Sequence, residues 1–322
     1  MHGENTSGGE VNRLPKVMAM GEVMLEFSVA DESRRTFALA YAGDTFNTAV
    51  HLARLGVPCG YFTELGDDPY SDGIVAFGQQ EKVAMQDCIR SRGRLPGVYI
   101  IDNDDSGERR FHYWRDSSAA RDTLSDSTKL QRACRAMEPY QVLYLSGVTL
   151  AVIAQHGGDS FWALMDQLKR QQKTIVFDPN YRNSLWPDID TACALYRQLL
   201  GYCDVVLPTL ADETALWGFT DSDEVVDFYR ALGVREVVVK LPGAQAVAVN
   251  DQGSAHRESL FRGSVIDTTG AGDAFNAGYL NSRYRNQSLG DALAAAHSLA
   301  AQVIAVRGAI PNITARDGEM SH

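Results

Sequence analysis

A glycine-rich stretch that ends in an aspartate is the part of this sequence best suited to chemistry. Residues 267–279 read DTTGAGDAFNAGY, with Gly270, Ala271 and Gly272 directly before Asp273. Small residues let the backbone approach a ligand, and the first N–H groups of a helix bind anions because they lack partners within the helix. A carboxylate beside such an anion site can accept the proton of a hydroxyl that attacks phosphorus. The alternative is that Asp273 only complements the helix dipole.

Two arginines form a second set of candidate functional residues. Arg115 follows the aromatic run FHYW at 111–114, and Arg182 lies within DPNYRNSLW at 178–186. A guanidinium group binds a planar carboxylate through two parallel hydrogen bonds. A neutral sugar needs no such pair, so two arginines at one ligand edge favour an acidic substrate. The alternative is that each arginine forms a surface ion pair in an acidic protein.

The elements that position these residues alternate along the second half of the chain. Short apolar runs predict strands at 142–146, 174–178, 204–207 and 236–240, and a further strand that ends near Ile266. Amphipathic stretches between them predict helices at 159–172, 189–201 and 222–232. This alternation is typical of a doubly wound, mostly parallel sheet flanked by helices.

Polar residues stand at or just beyond the ends of four of these predicted strands. They are Ser146, Asp178, Lys240 and Thr209. In open α/β sheets, ligands bind beyond the carboxyl ends of the strands, so this edge is the predicted functional one. The alternative is that these residues are strand-terminal caps.

The N-terminal third has a different pattern. Segments 23–28, 36–41, 98–102 and 108–114 mix apolar and polar residues, as half-exposed strands do. The last two flank DNDDSG at 102–107, which is a strong turn signal. We therefore expect a small sheet near 23–41 and 97–115 that stands off the main sheet as a lid.

The composition limits which partners the protein can have and in which cellular compartment it is expected. The 322 residues include 30 Lys and Arg against 41 Asp and Glu, a net charge of −11, which argues against a nucleic-acid partner. No apolar run is long enough to span a membrane, and the polar stretch 1–15 lacks a secretory signal and is an expected flexible leader. The five cysteines form no C-x-x-C pair, so we expect buried free thiols and a cytoplasmic protein.

Two stretches resemble the signatures of a known family. Residues 267–279 are similar, position for position, to the C-terminal signature of the ribokinase-like (PfkB) carbohydrate kinases. GDTFN at 43–47 resembles their N-terminal signature, although Ala42 stands where members often have glycine. The resemblance covers about 16–311, nearly the whole chain, and implies a ribokinase-like α/β fold with a β-sheet lid. It gives a kinase domain at 16–312 and a polar tail at 313–322.

The resemblance also implies roles for individual residues. Asp273 corresponds to the catalytic base, and Gly270, Ala271 and Gly272 to the anion hole. Residues implied to contact ATP are Thr209, Lys240, Gly243, Ala244, Gly272 and His297. His297, which lies among alanines on a helix, has plain packing as its alternative.

Two points about metal ions stay open at this stage. Many family members carry Asn-x-x-Glu where this chain has TLAD at 209–212, so Mg²⁺ is expected with ATP but its protein ligands are unknown. A monovalent cation near Asp267 and Thr269 is also left open.

The lid and the 178–186 loop resemble one branch of the family, the 2-keto-3-deoxygluconate kinases. The residues implied to bind the sugar acid are Gly43, Asp44, Asn47, Tyr99, Tyr113, Arg115, Asn180 and Arg182. The implied reaction is ATP-dependent phosphorylation of 2-keto-3-deoxy-D-gluconate at its 6-hydroxyl. Alternatives are a fructokinase, a ribokinase, another sugar-acid kinase or a non-catalytic sugar-binding member.

Two other enzyme classes fit the sequence less well. An NAD-dependent dehydrogenase would need G-x-G-x-x-G after the first strand, and a Walker-type kinase would need G-x-x-x-x-G-K-[ST], and neither motif occurs. The exposed edge strands of the lid have unpaired backbone groups that can bond to another chain. This favours a homodimer formed through the lid.

Overall fold

The computed structural model describes residues 13–30, 35–103 and 109–312. Its strands are β1 (Val17–Met20), β2 (Met24–Val29), β3 (Phe37–Ala42), β4 (Cys59–Phe62), β5 (Glu64–Gly66), β6 (Val83–Ala84), β7 (Ile89–Ser91), β8 (Val98–Asn103), β9 (Arg109–Trp114), β10 (Val142–Ser146), β11 (Thr174–Asp178), β12 (Val205–Val206), β13 (Glu236–Leu241), β14 (Gln245–Asn250) and β15 (Gly253–Glu258). Its helices are α1 (Asp44–Arg54), α2 (Pro69–Gln80), α3 (Ser127–Met137), α4 (Gly147–Thr149), α5 (Gln155–Arg170), α6 (Ile189–Leu200), α7 (Leu210–Trp217), α8 (Ser222–Ala231), α9 (Ala271–Tyr284) and α10 (Leu289–Ile304).

Nine strands form the main sheet, in the order β15-β14-β13-β12-β11-β10-β1-β4-β6. The strands from β13 to β6 are parallel, and β14 and β15 add an antiparallel edge. From β1 the chain moves outward to β4 and β6, and from β10 it moves outward the other way. The strand order therefore reverses between β1 and β10, which is where α/β sheets of this kind bind ligands.

Alternate residues of β1 show how the two faces of this sheet are covered. Val17 and Ala19 pack in a layer with α1, α9 and α10, whereas Met18 and Met20 pack in a layer with α3, α5, α6 and α8. All four side chains are almost fully buried. A strand covered on both sides must be apolar at every position, which explains the uniform runs seen in the sequence.

The predicted small sheet is present and stands apart from the main one. Its four strands have the order β3-β2-β8-β9, and β2 pairs with β8 in parallel. We call this sheet the lid. In the chain, β2 and β3 lie between β1 and α1, and β8 and β9 lie between β7 and α3. A separate pair, β5 and β7, completes the strands.

Three expectations about element bounds need correction. The predicted strand ending near Ile266 does not form, because 259–266 leaves the sheet after β15 and the Ile266 N–H donates to the Ile304 carbonyl at 2.8 Å. The run at 204–207 pairs only at Val205–Val206. The helix expected from 159 begins at 155, with a break at Gly158, where φ is 45°.

Two further expectations concern thiols and termini. All five cysteines are free, and Cys59, Cys88 and Cys203 are buried, whereas Cys134 and Cys193 are half-buried. Burial raises the pKa of the Cys88 thiol to about 12. Among the described residues no helix is long and apolar enough to cross a membrane. Most of the expected leader and the whole expected tail lie outside the described residues.

Candidate active site

A cavity of about 1010 Å³ lies between the lid and the carboxyl ends of the strands at the point where their order reverses. Every residue predicted for catalysis or for sugar binding lines it: Gly43, Asp44, Asn47, Tyr99, Tyr113, Arg115, Asn180, Arg182, Gly270, Ala271, Gly272 and Asp273. The remaining predicted ATP contacts lie outside its walls: Thr209, Lys240, Gly243, Ala244 and His297.

The start of α9 forms one end of the cavity. Gly270 precedes the helix with φ 74°, and a Cβ there would come within 2.8 Å of the Ala309 backbone, so only glycine fits. A Cβ on Gly272 would meet no atom within 4 Å. The Ala271 N–H donates to the Thr268 carbonyl at 3.2 Å, so this amide is already used. No side chain of the described residues caps the helix, which leaves its positive end open to the cavity.

Asp273 lies in the first turn of α9 with its carboxylate held from another helix. The Asn47 Nδ2 group, on α1, donates to Asp273 Oδ2 at 2.8 Å. Burial, and then the nearby Asp44 carboxylate, raise the pKa of Asp273 well above its ordinary value, while Asn47 acts in the opposite direction. A carboxylate whose pKa is raised is a stronger base, so Asp273 is suited to accept a proton.

The opposite walls come from the lid and the loop after β11. Tyr99 and Tyr113 face each other across β8 and β9 with ring centroids 5.5 Å apart. Asn180, at a left-handed φ of 34°, donates from Nδ2 to Asp44 Oδ2 at 2.7 Å. These contacts place aromatic surface and hydrogen-bonding groups around the same space.

Gly43 lines the cavity for a reason that the sequence did not reveal. A Cβ at this position would lie 2.1 Å from the Glu22 carbonyl oxygen, so the close approach of the β1–β2 connection to the start of α1 requires glycine here. The contact with Glu22 therefore explains the glycine without reference to a bound sugar.

The two arginines line the same cavity, and each already pairs with a carboxylate of the protein. Arg115 is 9% exposed and donates to Glu22, which is 1% exposed. The Arg182 side chain is 52% exposed, and its Nη1 donates to Asp212 Oδ1 at 3.1 Å. Sequence reasoning missed Glu22 as a partner, although this glutamate directly precedes the predicted lid segment 23–28.

The predicted ATP contacts cluster around the end of β13 and on α10. Thr209 and Lys240 are joined by an isolated parallel bridge. Gly243 and Ala244 form the turn from β13 to β14, both with positive φ, 72° and 57°. His297 packs edge-on against Phe275 with centroids 5.1 Å apart, which agrees with the packing alternative.

The Lys240 ammonium group points into a buried polar network that the sequence did not predict. Lys240 Nζ donates to Asn276 Oδ1 at 3.0 Å and to Asp178 Oδ1 at 3.4 Å. Asn276 Nδ2 in turn donates to Asp178 Oδ2 at 2.8 Å and to the Tyr144 hydroxyl at 3.0 Å. The signal for Asn276 was its position one helical turn after Asp273.

Asp267 joins two loops at the site. Its Oδ1 accepts from the Thr269 N–H at 2.9 Å, and its Oδ2 accepts from the Gly308 N–H at 2.7 Å. Within the described ranges, no three His, Cys, Asp or Glu side chains come together as a metal site.

Comparisons with known proteins agree with this geometry. Residues 14–316 match the family described as pfkB family carbohydrate kinase. The chain is 36% identical to a 2-dehydro-3-deoxygluconokinase of Escherichia coli over 92% of this chain and 96% of that protein. It is 37% identical to the enzyme of the same name from Dickeya dadantii, over 91% and 96% of the two chains.

Solved structures show the same fold. The 2-dehydro-3-deoxygluconokinase of Thermotoga maritima superposes with a TM-score of 0.82 at 19% identity, over 93% of this chain and 96% of that one. An Escherichia coli protein described as a ribokinase II, in complex with ATP and Mg²⁺, gives 0.80 at 22% identity, over 92% and 95%. The fold is therefore ribokinase-like, and the chain belongs to the pfkB family of carbohydrate kinases.

Proposed function

We propose that this carbohydrate kinase transfers the γ-phosphoryl group of ATP to the 6-hydroxyl of 2-keto-3-deoxy-D-gluconate. The observation that carries the proposal is one cavity with Asp273 and the open start of α9 in one wall and Arg115 and Arg182 in another. The 36% identity to a 2-dehydro-3-deoxygluconokinase over nearly the whole chain supports the same substrate.

In this reaction the substrate binds with its carboxylate toward the arginines and its 6-hydroxyl toward Asp273. The hydroxyl oxygen forms a bond to the γ-phosphorus while the bond from that phosphorus to the β,γ-bridging oxygen breaks, and ADP leaves. The proton of the hydroxyl passes to Asp273. The amides at the start of α9 stabilise the charge on the transferring phosphoryl group.

The nucleotide would bind beside the cavity, between the β13–β14 turn and α10. Three apolar side chains in that region are exposed, Val265 at 58%, Ile266 at 54% and Val306 at 42%, and an adenine ring could pack on them. Gly243 and Ala244 supply a turn whose backbone can approach phosphates, and Thr209 lies next to Lys240. Mg²⁺ bound to the phosphates would neutralise the charge that develops during transfer.

The two edge strands of the lid carry exposed apolar side chains. Phe37, Leu39 and Trp114 are 40%, 43% and 60% exposed and lie on β3 and β9, the two edge strands of the lid. Exposed apolar side chains on edge strands favour association, so we propose a homodimer formed through the lid. The kinase domain proposed for it spans 16–312.

One observation favours a second candidate, a kinase for a neutral sugar such as fructose. Both arginines are already neutralised, Arg115 by Glu22 and Arg182 by Asp212. A substrate carboxylate must therefore share or displace these partners. Since Arg182 is half-exposed and Arg115 is buried, Arg182 is the arginine better placed to exchange its partner.

A coupled assay of ADP release distinguishes the two candidates. Wild-type protein would be supplied with Mg·ATP and either 2-keto-3-deoxygluconate, fructose or ribose, and ³¹P and ¹³C NMR would locate the phosphate on the product. We expect the sugar acid to be preferred. Arg182→Ala should lower kcat/KM for the sugar acid by about 10- to 150-fold, the loss of a charge-assisted hydrogen bond.

The matched control in that assay is a surface arginine with a similar partner. Arg235 is exposed and pairs with Asp204 at 2.9 Å, at the opposite end of the strands, so Arg235→Ala should leave kcat/KM unchanged. Arg182→Lys should recover only part of the loss, because lysine lacks the planar fork. Equal losses on acidic and neutral substrates would remove the sugar-acid assignment.

A further inference from the structure

The Lys240 side chain is buried, which is unexpected for a lysine near the end of a strand beside the proposed nucleotide site. It stands near the carboxyl end of β13, and its side chain is only 13% exposed. The ammonium group is bonded to Asn276 on α9 and to Asp178 at the end of β11. Lys240 therefore links the two strands to the helix that carries Asp273.

The contacts of this network converge on the first turns of α9. Asn276 lies three residues after Asp273 on the same helix and is fully buried. Its Nδ2 group donates to Asp178 and to the Tyr144 hydroxyl, which also accepts from Thr48 Oγ1 at 3.2 Å. The position of α9 relative to the sheet is thus held by hydrogen bonds from β10, β11 and β13.

Charge around the Asp273 carboxylate is the second observation. Asp44 approaches it from α1 and Asp178 from β11, and both carboxylates disfavour its ionised form. Lys240, from β13, favours the ionised form. The phenol groups of Tyr99, from β8, and Tyr144, from β10, also interact with its charge. Asn47 contributes a hydrogen bond and no charge.

We propose that Lys240 is a positioning residue that acts through Asn276 and Asp178, holding the start of α9 and offsetting the negative charge that surrounds Asp273. The proposal rests on the proposed role of Asp273 as proton acceptor. It differs from the expectation that Lys240 contacts ATP phosphates, because it places the effect of Lys240 on the carboxylate.

Two substitutions in the network should move the pH dependence of kcat/KM in opposite directions. Lys240→Met removes the positive charge, so Asp273 should hold its proton more tightly and the acidic limb should move up by about one pH unit. Asp178→Asn removes a negative charge, so the limb should move down. The double variant, which loses one charge of each sign, should lie near wild type.

A control variant separates this effect from the loss of a buried lysine. Lys129 pairs with the buried Glu64 at 2.6 Å, and neither residue lines the cavity. Lys129→Met should lower the melting temperature without moving the pH profile. Lys240→Arg keeps the charge and should leave the acidic limb of the pH profile within a few tenths of a pH unit of wild type. This variant tests the charge role even if Lys240→Met folds poorly.

A second readout does not depend on the kinase reaction. The carboxyl resonance of Asp273 would be followed by ¹³C NMR in the protein without substrates, with Asp273→Asn used for assignment. Opposite shifts of its titration in Lys240→Met and Asp178→Asn would support the proposal even if the wild type phosphorylates no sugar acid. An unmoved titration in both variants, with only a raised KM for ATP in Lys240→Met, would overturn it.

Discussion

Helices α9 and α10 share a Gly-Asp pair in their first turns, but the two helix starts have different roles. In both, the second and third helical residues are glycine and aspartate: Gly272 and Asp273 in α9, Gly290 and Asp291 in α10. In α10, Ser288 caps the helix by accepting from the Asp291 N–H at 3.1 Å, and its hydroxyl donates to the Asp291 carboxylate at 2.7 Å.

In α9 these local bonds are missing and contacts with other elements replace them. Gly270 has no side chain to cap the helix, and Asp273 is bonded to Asn47 on α1. A Cβ on Gly272 would point into open space, whereas one on Gly290 would lie 3.2 Å from the Arg257 guanidinium group. A helix start whose N–H groups are bonded by its own side chains has a structural role, whereas one left open toward a cavity is available to a ligand.

The largest expected effect comes from exchanging the two aspartates in turn. Asp273→Asn should keep ATP binding within a few-fold and lower kcat by about 10²–10⁴, because it removes a positioned general base. Asp291→Asn, at the equivalent helical position, should leave kcat unchanged. Steady-state rates with isothermal titration of ATP check both. A near-normal kcat for Asp273→Asn would reduce Asp273 to complementing the helix dipole.

The two glycines give the next largest effect. Gly272→Val should lower kcat by about 10²–10³ because the side chain would block the amides at the start of α9. Gly290→Val carries the same propensity cost, has only the flexible Arg257 side chain to displace, and should leave the rate unchanged. Melts and rates would be recorded for both variants. Activity lost only in proportion to folded protein would contradict the anion-hole role.

Substitution at either helix cap should lower stability, but only the α9 cap should affect the rate. Ser288→Ala removes the α10 cap and should lower the free energy of unfolding by about 1 kcal/mol, with no change in kcat. Gly270→Ala should destabilise the fold and also slow the reaction, because its Cβ would collide with the Ala309 backbone. Urea unfolding monitored beside the rate assay tests this. A Ser288→Ala variant with impaired kcat would remove the distinction between the two helix starts.

The smallest effect concerns how the stability of the fold depends on pH. The folded-state pKa of Asp273 is raised, so its protonated form stabilises the fold, and that contribution is lost as the pH rises through the raised pKa. Asp273→Asn should therefore melt at a higher temperature than wild type at pH 8. The difference should vanish near pH 4, close to the unfolded pKa of about 3.9. Equal melting temperatures at both pH values would contradict the raised pKa.

The fold was predictable because its information is local. Strands such as 174–178 and 236–241 are buried on both faces, so their apolar runs are visible without knowledge of their neighbours. The run before Asp267 failed as a strand because its apolar side chains are exposed beside α10, and hydropathy alone does not distinguish the two cases.

The sequence predicted which residues line the cavity, but not which groups they are bonded to. Asp273 and its glycines form one contiguous motif, so their association needed no tertiary contact. The partner of Arg115 is 93 residues away, and the choice between Glu22 and a substrate carboxylate depends on packing. The sequence shows that Asn276 lies one helical turn after Asp273. Its bond to Lys240 exists only because the fold brings the end of β13 next to α9.

The place of the lid in the chain bears on how proteins of this kind diversify. Its strands are inserted into two connections, one between β1 and α1 and one between β7 and α3, and neither insertion changes the order of the main sheet. Connections of this kind accept replacement and change of length more readily than the elements they join. Selection can therefore change the lid wall of the cavity by altering two short inserts, while α9 and the loop before it stay the same.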